Sequence, residues 1–448
     1  MSTNRQREAS RMTKRFLAGA ALLLALLLPA LPAQAIPPIQ HWLTDNGLRV
    51  YYVHAPELPM VDLNITFAAG SARDDGHSGV AHMTSTLLDS GAAGLSATEL
   101  ANRLEALGAE LDTGSARDMG WVSLRSLSDS EYLQPALVIL GDILGKPDFN
   151  KRDFERERER TLVALRRDEQ SPSTVAEYAH FDAIYHDHPY ALRENGTEAS
   201  IKALSLADIR EFHGRYYVAR NAVLAIVGDI DRQEAEKMAE QLAARLPEGK
   251  RADPLPPVPR LEKASMERIY HPSAQTTVRM GAPGMHRGDP DYFPLYIGNH
   301  VLGGSGLVSR LSDEVREKRG LSYSASSYFS PMEQDGPYLL SLQTRNDQSE
   351  AALAVMRETL QKFVDEGPTG KELVDAKKNI TGGFALLIDS NSKILSYLVM
   401  IGFYGLPLDY LEKFNETVEA VTREQIIDAF RRRVQPDAMA TVIVGGDS

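Results

Sequence analysis

The chain repeats itself. Ser205–Ile230 (SLADIREFHGRYYVARNAVLAIVGDI) and Thr422–Asp447 (TREQIIDAFRRRVQPDAMATVIVGGD) follow one plan: a capped helix, a basic or aromatic turn, then an apolar strand running into Val-Gly. Ser205 and Thr422 stand 217 residues apart, and so do Gly228 and Gly445. Trp121 and Tyr338, each inside a strand-like run, share that offset. A long period with matched elements marks a duplicated domain and not a short solenoid repeat.

Between the copies lies Arg251–Lys263, RADPLPPVPRLEK, with prolines at 254, 256, 257 and 259. Proline at that density resists both helix and sheet ladder, so the segment reads as a stiff extended linker. Two domains are expected, 36–250 and 264–448. Strand-like runs (Leu48–Val53, Val61–Phe67, Gly120–Leu127; Thr276–Gly281, Tyr323–Phe329, Pro337–Thr344) alternate with long amphipathic helices such as Lys151–Arg167 and Lys371–Leu387. Several strands arrive without a helix between them. That predicts an α+β fold with mainly antiparallel sheets packed by helices, not a doubly wound sheet.

Residues 1–35 read as a leader. Arg5, Arg7, Arg11, Lys14 and Arg15 against Glu8 give 5 − 1 = +4, an apolar run covers Phe16–Leu31, and Ala33-Gln34-Ala35 has the form of a cleavage site. This is the pattern of a secretory signal peptide cut after Ala35, and it predicts an exported, periplasmic product. The rival is an uncleaved membrane anchor; Pro29, Pro32 and the small-residue site favour cleavage. Without the leader, the formal net charge of −12 becomes −12 − 4 = −16. So acidic a surface repels phosphate backbones and anionic lipid heads, and no nucleic-acid partner is expected. The chain has no cysteine, which excludes a thiol nucleophile, Cys-ligated zinc, an iron–sulfur cluster and a lipobox anchor.

Gly79-Val80-Ala81-His82, followed by Met83-Thr84-Ser85-Thr86, is where metal chemistry would sit. The segment resembles the entry to the zinc motif of the pitrilysin/insulinase (inverzincin) peptidases, G-x-A-H-x-x-E-H. Histidines at i and i+4 share a helix face and grip one Zn²⁺, with the glutamate as general base. Here His82 survives, Ser85 stands at the base position and Thr86 at the second ligand. The resemblance places a third, glutamate ligand on the helix around ERERERTLVAL, where this chain has Ala164, or Val163 if the register slips by one. Serine is no base unaided, threonine is a poor zinc ligand, and neither alanine nor valine can bind metal. One ligand of three is left, so no catalytic zinc is expected on this chain, and His82 is expected to be a packed or hydrogen-bonded remnant.

Two other features invite a ligand reading. His180, His186 and His188 are close in sequence, but a helix end entering a His-Pro-Tyr turn accounts for them. The FERERERTL run reads as a solvated helix face built from i, i+4 Glu–Arg pairs.

The second half keeps what the first has lost. Leu302–Ser330, LGGSGLVSRLSDEVREKRGLSYSASSYFS, resembles the family's Gly-rich turn followed by S-R-L-x-x-x-V-R-E-K-x-G-L-x-Y. The glycine run 303–306 is a tight turn before a helix; as a phosphate cradle it is weak. Arg316 and Tyr323 match the family's arginine–tyrosine pair, which the resemblance assigns to holding the substrate backbone across a closed chamber. Guanidinium and phenol suit a peptide carbonyl or a developing oxyanion. The plainer alternative pairs Arg316 with Glu314 or Glu317 and lets Tyr323 merely begin a strand.

The resemblance therefore implies two homologous domains forming half of a clam-shell chamber, in the non-catalytic subunit of an exported heterodimeric zinc peptidase of the two-chain bacterial type. Zinc would sit on a homologous partner subunit, and this chain would supply Arg316 and Tyr323 to bind peptide substrates. The alternatives are a catalytically dead scaffold or peptide-binding protein of the same fold, and a peptidase with substitute ligands.

Overall fold

The computed structural model describes residues 38–446; the leader over 1–35 lies outside them. Two sheets carry the duplication. The first is built from β1 (Gln40–Leu43), β2 (Arg49–His54), β3 (Met60–Phe67), β4 (Glu110–Ser115), β5 (Gly120–Leu127) and β6 (Ala222–Gly228), in the order β1-β2-β6-β3-β5-β4. The second holds β7 (Ser265–Tyr270), β8 (Ser273–Met285), β9 (Ser324–Phe329), β10 (Gly336–Arg345) and β11 (Ala440–Gly446), in the order β7-β11-β8-β10-β9. Without β1, the two orders coincide strand for strand. Directions coincide too: β2 runs parallel to β6 and β7 to β11, and every other pairing is antiparallel. The fold is α+β with two homologous domains.

Local chemistry sets the matched elements. Ser205 and Thr422 both cap the helices that follow them with reciprocal boxes, Ser205 with Asp208 and Thr422 with Gln425, satisfying backbone donors the first turn leaves free. Strand β6, AVLAIVG, is buried along its whole length. A strand covered on both faces reads as an unbroken apolar run.

What covers those faces comes partly from the opposite half. Helix α1 (Val80–Leu87), α2 (Ser130–Gly145) and α3 (Lys151–Asp168) pack within the first half, and α2 lies on β5. Helix α4 (Pro172–Tyr185) lies instead on β8 and β11 of the second sheet, where Ala176 packs with Val442 and Val444. After α5 (Leu206–Tyr216), the second half supplies α6 (Tyr292–Asn299), α7 (Ser349–Glu366) and α8 (Gly370–Gly383). Its α9 (Asn391–Tyr404), the counterpart of α4, returns the exchange by packing on β2, β3 and β6. The fit is close: a Cβ on Gly402 would come within 2.7 Å of Tyr51 and Val223. The last helix, α10 (Arg423–Arg433), packs on α6 and α7.

The proline-rich segment is seated on both halves. Residues 247–264 carry neither helix nor strand, yet Ala252 N donates to Asn221 (3.0 Å), Leu255 N to Glu333 (3.1 Å), and Asp253 O accepts from Arg73 (2.7 Å). Leu255 is buried. Beside this strap, Asp118 accepts hydrogen bonds from Tyr190 (2.7 Å), Tyr404 (2.9 Å) and Glu333 N (2.7 Å), joining the halves at one buried carboxylate. Among the described residues no single helix is long and apolar enough to cross a membrane.

Candidate functional site

Helix α1 begins at Gly79, whose φ of +91° and lack of a side chain are both used: a Cβ would meet Ile201 at 2.6 Å. Asp74 fastens this start by accepting from Gly79 N (2.6 Å) and Ala81 N (3.1 Å). Burial outweighs those two bonds and pushes its carboxyl up to about 8. His82 follows on the first turn, half-buried, and none of the described residues hydrogen-bonds its ring. Burial lowers its pKa while the Glu157 carboxylate opposes the shift.

The positions around His82 do not make a zinc site. Ser85 Oγ and Thr86 Oγ1 both donate to the His82 carbonyl at 2.9 Å, a back-bond to their own helix. On α3, which packs against α1 with Thr161 Oγ1 3.5 Å from Met83 Sδ, Ala164 and Val163 are both exposed and carry no donor atom. Catalytic zinc takes three protein ligands, and this set offers one imidazole.

Glu157 is the residue that sequence reasoning missed. It is buried on α3 and held by Arg156 (3.0 Å) and Arg160 (2.9 Å). The FERERERTL run is therefore not a solvated face throughout, and its described pairs are i, i+3 or adjacent, not i, i+4. The signal was available in the spacing of Phe154, Glu157 and Thr161, which all turn inward.

The three clustered histidines do not converge. His180 is buried on α4 against Gly281, with no hydrogen-bond partner for either ring nitrogen among the described residues, and burial drives its pKa down to about 3. His186 ends the helix at φ +49°. His188 makes a 2.8 Å hydrogen bond to Pro256 O in the strap and accepts from Tyr190 N (3.1 Å). One group among the described residues has ligand-like spacing: His286 Nδ1 lies 3.2 Å from Asp335 and 3.6 Å from Asp289. Arg433 already pairs with Asp289 there.

Arg316 and Tyr323 do come together. They line one cavity of about 340 Å³ with Gln275, Gln343, Arg345 and Gln348. Arg316 projects from a wide helical turn, Ser312–Glu317, and its Nε lies 3.3 Å from Glu317. Glu314 is engaged elsewhere, by Lys318 (2.7 Å) and Arg319 (2.5 Å). Tyr323 directly precedes β9 and is 86% exposed. The turn that presents it is pinned: Leu321 N donates to Val315 O (2.9 Å), and Thr344 Oγ1 donates to Leu321 O (2.5 Å). The glycine run serves packing, since a Cβ on Gly303 would strike Ser327.

Comparison with known proteins agrees with these features. Residues 49–197 match the model of the insulinase peptidase family M16, and residues 203–380 match that of the peptidase M16 inactive domain. A crystal structure of a peptidase M16 inactive domain from Pseudomonas fluorescens superposes with a TM-score of 0.89 at 38% identity, covering 92% of this chain and 98% of the other. The chain belongs to peptidase family M16. Within M16 it is similar to the Helicobacter pylori "non-peptidase homolog YmxG" (25% identical, over 88% of this chain and 91% of that one). It is also similar to the Bacillus subtilis "uncharacterized zinc protease YmxG" (24% identical, over 80% and 86%). In this M16 chain Ser85, Thr86 and Ala164 leave His82 without companion zinc ligands, whereas Arg316 and Tyr323 share a cavity.

Proposed function

We propose that this chain is the non-catalytic subunit of an exported two-chain zinc peptidase. It holds the peptide through Arg316 and Tyr323 while a homologous partner with an intact H-x-x-E-H supplies the metal and the base. One observation carries the reading: within a single duplicated chain, one imidazole is left at the metal positions while the pair suited to a peptide backbone lines one cavity, Tyr323 exposed and Arg316 half-buried. Guanidinium donates only and phenol donates or accepts, so the two together suit a bound acceptor such as a peptide carbonyl. The two chains would enclose a peptide-sized chamber with Arg316 facing the partner's zinc. The leader pattern directs the product to the periplasm, and no nucleic acid or membrane partner is expected after its removal.

The test is reconstitution. Mixed with its zinc-bearing homologue, this chain forms a heterodimer that cleaves peptides faster than either chain alone. Arg316→Ala then lowers kcat/KM about ten- to a hundred-fold, the scale of one charge-assisted hydrogen bond. Unchanged turnover in Arg316→Ala refutes the assigned role, and no enhancement of the partner favours the scaffold reading instead.

A further inference from the structure

We infer that the cavity shared by Arg316 and Tyr323 recognises a carboxylate on the bound peptide, either an Asp or Glu side chain or a free C-terminus. This rests on the peptide-holding role proposed above and names the class of peptide held.

The lining is cationic in a chain that is acidic overall; a second cavity lined by Arg260 and Arg433 shares this, but there Arg433 already pairs with the buried Asp289. The chain carries a formal net charge of −12, yet the residues around this cavity include two guanidiniums, Arg316 and Arg345, and no carboxylate. The cavities beside α5 and α8 are lined by two or more acids each. Three glutamines, Gln275, Gln343 and Gln348, add neutral donors and acceptors suited to backbone amides. A planar guanidinium meets a carboxylate through two parallel N–H···O bonds, a match no neutral amide reproduces.

The counter-charges already present are exchangeable. Arg316 meets Glu317 through one 3.3 Å contact. Arg345 is gripped by Asp347 at 3.0 and 2.5 Å, but both side chains are well exposed, at 68% and 63%. Exposed pairs contribute little stability. A ligand carboxylate entering the cavity displaces them at small cost and reaches Arg316, the less exposed of the two guanidiniums at 35%. The volume of about 340 Å³ accommodates a carboxyethyl side chain together with the backbone that bears it.

The experiment uses the mature full-length chain and four fluorescein-labelled dodecapeptides of Ala, Gly and Ser. They carry a central Glu or Gln, each with a free or an amidated C-terminus, and binding is read by anisotropy. The Glu peptides bind about ten-fold more tightly than the Gln peptides if the side chain is the source. Free acids outbind amides by a similar factor if the C-terminus is. Arg345→Gln, a change at an exposed side chain, brings the favoured peptide down to the level of its neutral counterpart. Equal binding of all four overturns the carboxylate inference. If Arg316→Ala then weakens all four alike, the peptide-holding role survives without it; if Arg316→Ala changes nothing, that role falls as well. Absence of binding by any peptide up to about 1 mM overturns both.

Discussion

Replacing Tyr404 by Phe removes one hydrogen bond from the joint between the two halves, and replacing Tyr190 by Phe removes two. Asp118 is the shared acceptor, buried, with Tyr190 OH on one oxygen and Tyr404 OH and Glu333 N on the other. Burial raises its pKa, and the three donors oppose that shift. A hydrogen bond to a charged group contributes about 1.5–3 kcal/mol, so Tyr404→Phe is expected to cost that much, with Asp118 still holding two donors. Tyr190 OH also accepts from Gln334 N at 3.0 Å. Tyr190→Phe therefore leaves an extra N–H without its partner, adding about 1 kcal/mol, the low end of the range because the site is only partly buried. Asp118→Asn, with one acceptor oxygen in place of two, is expected to cost more than either. Urea unfolding followed by the two tryptophans, Trp42 and Trp121, and by circular dichroism measures all three. With m near or above about 3 kcal/mol/M, the Tyr404→Phe midpoint falls by up to about 1 M. If Tyr190→Phe is no more damaging than Tyr404→Phe, or Asp118→Asn unfolds like the wild type, the halves are not joined through this carboxylate.

Restoring the zinc set should restore zinc. Ser85→Glu, Thr86→His and Ala164→Glu together are expected to bind one equivalent by elemental analysis, because burial keeps His82 neutral and ready to ligate; the same set with Val163→Glu in place of Ala164→Glu should not, and the reverse outcome would move the register by one. Glu372 is held by Arg310 at 2.7 and 2.6 Å. Burial alone would raise its pKa, but the Arg310 and Thr369 hydrogen bonds prevail and lower it from 4.5 to about 2. Its contribution is thus present above about pH 4.5 and lost as pH falls toward 2. Glu372→Gln should flatten that part of the acid-stability profile, and an unaltered profile counts against the pairing. Gly402→Ala forces a Cβ against Tyr51 and Val223 at 2.7 Å and should cost about 1–3 kcal/mol. Gly382→Ala, where a Cβ meets nothing within 4 Å, should instead stabilise by about 0.5–1 kcal/mol. The thermal midpoint of Gly402→Ala tests the exchanged helix, with Gly382→Ala on α8 as the unhindered control, and an unchanged Gly402→Ala midpoint counts against the close fit.

The duplication was legible because it is written in local chemistry. Ser205 and Thr422 cap helices through neighbours three residues away, and the apolar runs at Ala222–Gly228 and Ala440–Gly446 need two covered faces wherever the chain places them. The loss of the zinc set was equally legible, since having a donor atom is a property of the residue type. Glu157 was harder to read: its Glu–Arg surroundings are those of a solvated helix, the spacing of Phe154, Glu157 and Thr161 was the one sign of an inward face, and that this face meets α1 beside His82 is decided by packing.

The order of elements, the caps, the likeness of the two halves and the lack of a ligand side chain at Val163 and Ala164 all follow from residues close together in the chain. Which helix covers which sheet, how the proline strap docks, and that Arg316, Tyr323 and Arg345 line one cavity depend on contacts between distant segments. Those contacts are chosen by shape and by exclusion of water, which act only once the two sheets have formed and have faces to cover.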